Sequence, residues 1–229
     1  TLLSGPPGAG KTSLLAALVA AAPPNHCIRA VEEVRELFVP IVHGSYYESR
    51  PPSLDRSGEV ALRDLVKVVL AMRPDRIVVG EVRGAEAFEL TRAANAGCGF
   101  ACTVHANSAR DALNALVNAA MMAGENVAEP VVRKVFSTTI DVVVHLDRDA
   151  VPPEGSSGLR RQVMEILSVV PAMGDDFTTE PLFVRNSLGE PLQWTGAVPP
   201  ATTTHMLERS LPGDLNLRDI LEGRRLPPI

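Results

Sequence analysis

The sequence predicts an α/β protein built on a mainly parallel sheet with helices on both faces. Three observations predict it. Short β-branched runs alternate with amphipathic, helix-period segments through residue 146. A glycine-rich turn over residues 5–10 opens directly into strong helix formers, as in strand–loop–helix units. After Asp147 the texture changes to strand candidates separated by turns, which read as an antiparallel edge or a small β appendage. A chain of 229 residues, 45% hydrophobic and 21% charged, suffices for one sizeable α/β core and an appendage.

Each element follows from local pattern. Residues 11–22 (KTSLLAALVAAA) predict the helix opened by the loop, stopped by Pro23-Pro24. His26–Val31 is a short apolar strand candidate ending in Glu32-Glu33. Pro40–Ser57, rich in Pro, Gly and Ser, reads as a loop or excursion. Glu59–Met72 is amphipathic at helical spacing, and Arg76–Val79 is a buried-type strand closed by Gly80-Glu81. Ala85–Ala96 is a second amphipathic helix, Phe100–Val104 a strand followed by His105. Helices over Ala109–Ala123 and Glu129–Phe136 precede a strand over Ile140–Leu146. Pro152–Gly158 reads as the turn to a strand over Gln162–Val169, with Thr179–Val184 a further strand. The expected division is a core over 1–148, an antiparallel β appendage over 149–195, and a linker with one short terminal helix over 196–229.

The strongest chemical signal is Gly5-Pro6-Pro7-Gly8-Ala9-Gly10-Lys11-Thr12, followed by Ser13. It satisfies every fixed position of G-x-x-x-x-G-K-[ST]. Glycines let backbone N–H groups turn inward around phosphate oxygens, and the helix adds its positive N-terminus. Lys11 is then expected on the β- and γ-phosphates of a nucleoside triphosphate, and the Thr12 hydroxyl on Mg2+. Groups that hold the ion and orient water come from the carboxyl ends of parallel strands. Three such ends carry them: Glu32-Glu33, Glu81 and His105.

Composition narrows the partners. A net charge of −5 and 4% aromatic residues offer no stacking platform, so no direct nucleic-acid contact is expected. Cys27, Cys98 and Cys102 lack metal-ligand spacing and read as reduced thiols, consistent with a cytoplasmic setting. Only Thr1–Ser4 precede the loop, which predicts that part of the first strand, or a whole domain, lies upstream.

The stretch LRDLVKVVLAMRPDRIVVGEVRGAEAFELTRAANAGCGFACTVHANSARDAL resembles the secretion-superfamily ATPases of type II and type IV secretion and pilus assembly. Within them it most resembles the CpaF-like motors of tight-adherence (Flp) pili. The likeness runs over residues 1–146 and takes in the loop, Val31-Glu32-Glu33, Arg50-Pro51-Pro52, Met72–Arg76, Gly80–Gly84 and Thr103–Asn107. It departs at Gly97, where the family usually has histidine, at Glu33, where Asp is common, and at Pro6-Pro7.

The resemblance implies a RecA-like core that hydrolyses ATP as a hexameric ring. A polytopic inner-membrane platform protein would hold that ring at the membrane's inner face. It further implies Glu81 as the Walker B acid and metal-site carboxylate, Glu32 or Glu33 as polarising water, and His105 on the γ-phosphate. Arg50, Arg73 and Arg83 would serve charge neutralisation or contacts between subunits. Two other readings remain beside it: a DNA-traffic ATPase of conjugation or competence type, and a nucleotide-binding regulator that does not hydrolyse.

Overall fold

The computed structural model describes residues 1–55, 57–124, 126–171 and 176–224. The chain enters on β1 (Leu2–Ser4), turns into α1 (Lys11–Ala20), and continues through β2 (Ile28–Glu32) and β3 (Gly44–Glu48). Next come α2 (Leu62–Ala71), β4 (Arg76–Val79), α3 (Glu86–Asn95) and β5 (Gly99–Val104). Then follow α4 (Ala109–Met121), α5 (Glu129–Thr139) and β6 (Val142–Arg148). The chain closes with β7 (Arg161–Val170), β8 (Thr178–Val184), β9 (Gln193–Trp194), α6 (Ala201–Ser210) and α7 (Leu217–Leu221).

All the strands belong to one sheet in the order β3-β2-β4-β5-β1-β6-β7-β8-β9. The first six in that order run parallel, and β7, β8 and β9 are added antiparallel. The α/β class with a mostly parallel sheet is therefore as the sequence predicts. β1 is central, pairing Ser4 with Val104 on one side and with His145 on the other. Because β1, β2, β4 and β5 point the same way, Gly5, Glu32-Glu33, Glu81 and His105 all emerge at one edge.

Side chains alternate across the sheet and feed two cores. Leu2, Val79, Cys102 and Val143 join the core beneath α2–α5. Leu3, Val78 and Val144 join the opposite one, covered by Leu15 and Val19 of α1 and by Leu37 and Val39 of the β2–β3 connection. Burial on both faces explains why RIVV reads as a continuous apolar run. α5 runs past Phe136 to Thr139, its last turn closed by the Ile140 N–H donating to Phe136 O at 2.9 Å.

Two segments differ from the sequence reading. The stretch over residues 40–57 contains β3, a half-buried edge strand in register with β2 and without an alternating apolar pattern of its own. The segment taken as linker contains the start of α6. Its ATTT opening is poor in helix propensity and is held by tertiary context: Thr203 is buried, and Thr204 Oγ1 donates to Pro199 O at 2.8 Å. Of the two forms expected for residues 149–195, the strands form an antiparallel edge of the core sheet, with Leu167, Val169 and Phe177 in the main core. Residues 172–175 and 225–229 of the two expected C-terminal segments lie outside the described residues. Among the described residues, no helix is long and apolar enough to cross a membrane.

Candidate active site

The loop between β1 and α1 is shaped by its glycines. Gly5 has φ +147°, and a Cβ there would sit 2.3 Å from the Leu146 carbonyl oxygen. Gly8 and Gly10 are also at positive φ, +74° and +93°. Helix α1 begins at Lys11 with no side-chain cap and no acidic residue in its first turn. Its leading N–H groups are thus left for an anion, which the loop's curvature surrounds.

A cleft of about 480 Å³ opens over this loop, bordered by Lys11, Thr12, Glu81, Arg83 and His105 among others. That is an ordinary size for a small-molecule site. A smaller hollow of about 170 Å³ adjoins it, lined by Thr12, Glu32, Glu33 and Glu81. The strand-end groups predicted from sequence therefore do converge on the loop.

Lys11 is folded back over the loop. Its Nζ donates to Gly5 O at 2.9 Å and Pro6 O at 3.1 Å and lies 3.2 Å from His105 Nδ1. The same Nδ1 lies 3.3 Å from Gly5 O, so the imidazole rests against both the lysine and the loop carbonyl it covers. Burial lowers the Lys11 pKa, against the raising field of Glu81. His105 Nε2 is 2.6 Å from Glu81 Oε1. Beyond that contact, this buried oxygen has no hydrogen-bond partner among the described residues.

The other oxygen of Glu81 accepts from Arg83 Nη2 at 2.8 Å. Burial pushes the Glu81 carboxyl up, yet the Arg83 hydrogen bond and the charges of His105, Arg83 and Lys11 outweigh it and hold it below its ordinary range. The carboxylate therefore stays ionised. The strand end that carries it is pinned: Thr103 Oγ1 donates to Gly80 O at 2.6 Å, and Glu86 accepts from the Arg83 and Gly84 N–H groups at 2.6 and 2.8 Å.

Glu32 and Glu33 separate in role. Glu32 is 3% exposed and accepts from the N–H groups of Glu36 and Leu37 at 3.1 and 3.2 Å. A Cβ on Gly80 would lie 2.7 Å from its Cγ, so glycine at 80 makes room for it. Burial raises its pKa, partly offset by those backbone N–H groups. Glu33 is half exposed and faces Arg83 Nη1 at 3.5 Å.

Of the loop residues, Pro7, Gly8, Gly10, Lys11, Thr12 and Ser13 line the cleft, while Ala9 is fully buried beneath it. Arg50 and Arg73 do not enter it. Arg50 donates to Gly58 O at 2.6 Å in the loop before α2. Arg73, at φ +52°, borders a separate cavity with Pro74, Asp75 and Cys98 at the opposite edge of the sheet. Three contributors carried no sequence signal: Glu36, which lines the cleft, and Arg148 and Arg161. Arg148 Nε donates to Pro7 O at 2.9 Å and Arg161 Nε to Gly8 O at 2.8 Å. They lie roughly 140–150 residues along the chain from the loop they touch, beyond the reach of any local motif.

Thr12 and Glu81 border both hollows, and Glu81 Oε1 is a buried acceptor without a hydrogen-bond donor. That donor set, one hydroxyl and one carboxylate beside a phosphate loop, fits Mg2+ shared with phosphates.

The family model described as type II/IV secretion system protein matches residues 1–169. A Mycobacterium tuberculosis protein named for conjugal transfer is 40% identical over 149 residues, which are 65% of this chain and 42% of that protein. The type IV secretion system protein PtlH of Bordetella pertussis is 34% identical over 169 residues, 72% of this chain and 48% of its own length. The crystal structure of the VirB11 ATPase of the Brucella suis type IV secretion system, in complex with sulphate, superposes with a TM-score of 0.60 at 26% identity. The match covers 73% of this chain and 47% of VirB11. The chain thus spans about half or less of the length of the relatives it matches. It belongs to the type II/IV secretion system protein family.

Proposed function

We propose that this chain is the motor portion of an ATPase that drives a type II/IV secretion or pilus machine. The observation that carries the reading is the ionised Glu81, with one buried oxygen left without a hydrogen-bond donor, facing Lys11, Thr12 and His105 across a glycine loop. Here the triphosphate replaces the carbonyls of Gly5 and Pro6 as the partner of Lys11. The loop's inward N–H groups and the head of α1 take the remaining phosphate oxygens. Thr12 and Glu81 would hold Mg2+, which would supply charge neutralisation for the triphosphate. Glu81 orients the attacking water, Arg83 holds that carboxylate in place, and Glu33 rather than the buried Glu32 assists. His105 contacts the γ-phosphate. Water attacks the γ-phosphorus as the bond to the β–γ bridging oxygen breaks, and ADP and phosphate leave.

The relatives supply the context: proteins named for conjugal transfer, type IV secretion and VirB11 ATPase activity. From the sequence resemblance we propose a CpaF-like Flp pilus motor, hexameric and docked on a polytopic inner-membrane platform at the membrane's cytoplasmic face. In that ring Arg50 and Arg73 are offered to neighbouring subunits. The likeness to a conjugal transfer protein favours a second reading, the conjugative machine, in which the same site drives DNA traffic through partners.

Glu81→Gln tests the core claim. It is expected to bind ATP as tightly as the parent while turnover falls by about 100-fold or more. Lys11→Ala is expected to lose nucleotide binding itself. A Glu81→Gln protein that hydrolyses ATP at the parent rate removes Glu81 from the mechanism.

A further inference from the structure

Arg148 closes β6 and Arg161 opens β7, and the two are direct cross-strand partners. Like charges placed opposite each other repel. The nearby acids do not relieve the repulsion. Asp147 Oδ1 accepts the backbone N–H of Arg148 at 2.7 Å, and Asp149 is paired with Arg160 at 2.9 Å. Among the described residues, neither Arg148 nor Arg161 has a carboxylate partner. Instead each gives its Nε to a loop carbonyl, Pro7 O and Gly8 O. The Nη groups of both guanidiniums keep their donors, and Arg161 lines the cleft. The fit is close on the loop side as well. A Cβ on Gly8 would lie 3.4 Å from Arg148 Nε, and one on Gly10 3.6 Å from Arg161 Cδ.

Place in the sheet says which part of a ligand these cations meet. β4 and β5, which carry Glu81 and His105, lie to one side of β1, whereas β6 and β7 lie to the other. Lys11, Glu81 and His105 mark the hydrolytic end of the cleft, and the arginines flank the loop from the side away from it.

Resting on the ATPase reading above, we propose that Arg148 and Arg161 form a clamp for the phosphates that ATP and ADP share. Arg161 contacts the nucleotide directly. Arg148 is a positioning residue that acts through the loop. By occupying the outward carbonyls of Pro7 and Gly8, the pair keeps the loop's N–H groups turned toward the phosphates. Their shared positive charge is neutralised by the diphosphate itself, so the site is built to retain product as well as substrate.

Calorimetric titration of the full chain with ADP, and of the Glu81→Gln background with ATP, tests this. Arg161→Gln and Arg148→Gln are each expected to weaken ADP and ATP by the same factor, about tenfold or more. Arg161→Lys recovers only part of the loss, because an ammonium cannot span a carbonyl and a phosphate as a planar fork does. Unchanged ADP affinity in Arg161→Gln overturns the clamp, as does a loss confined to ATP, which would move the residue to the γ-phosphate. Arg161 is exposed, so its variants carry the test even where Arg148→Gln lowers the melting temperature of the nucleotide-free chain. A parent chain that binds neither nucleotide sinks the ATPase reading instead, so the two failures are distinguishable.

Discussion

Adjacent residues at a strand end can do unrelated jobs, and Glu32 and Glu33 show why. Alternation along β2 turns Glu32 inward, where its carboxylate is the acceptor for two backbone N–H groups of the segment that follows. Glu32→Ala strands both donors in a buried setting, at a cost of about 1–3 kcal/mol. The expected outcome is a lower melting temperature in the absence of any nucleotide. Glu33→Ala, by contrast, removes a half-exposed contact to Arg83 and is expected to leave melting within about 0.5 kcal/mol of the parent while slowing turnover. The reverse pattern would return the water-polarising role to Glu32.

At the scale of elements, α5 is the member whose packing is most easily tested. Its Phe136 is fully buried and meets Phe100 of β5 edge-on, with ring centroids 6.4 Å apart. Phe136→Ala therefore opens a cavity between helix and sheet and is expected to cost about 3–5 kcal/mol, read in a urea titration as a lower midpoint at constant slope. The cleft lies at the carboxyl edge of the sheet, so any nucleotide affinity the folded variant retains should match the parent's. β3 and α6 make the complementary point. Neither has a strong pattern of its own, and each exists because a neighbour offers hydrogen bonds or burial to a weak sequence.

For the whole molecule, the sheet does not stop where the parallel strands end. β7 pairs along the full length of β6, and residues from β7 onward enter the main core. A chain ended at residue 148 would expose β6 as an unpaired edge and remove Leu167, Val169 and Phe177 from that core. It is expected to be insoluble or to lack a cooperative unfolding transition, as circular dichroism would show. If it folds and melts like the parent, residues 149–224 are a true appendage. For the intact protein with a non-hydrolysable ATP analogue, mass measurement in solution is expected to give six subunits. A monomer at high concentration would count against the ring.

The sequence by itself determined the class of fold, the loop at Gly5–Thr12, and the strand ends from which Glu32-Glu33, Glu81 and His105 emerge. These were legible because each rests on local physics: helical and strand periodicity, the φ freedom of glycine, and the rule that parallel strands deliver polar residues to one edge. Tertiary structure alone decided the rest. It turned Glu32 into the core and left Glu33 half exposed, since only register tells which side chain faces inward. It left Arg50 and Arg73 outside the cleft and brought Arg148 and Arg161 onto the loop, since contacts between residues so far apart in the chain follow from strand order. It also joined the antiparallel strands to the core, because a sheet edge is completed by whichever strand satisfies its backbone hydrogen bonds, and no local pattern announces that partner.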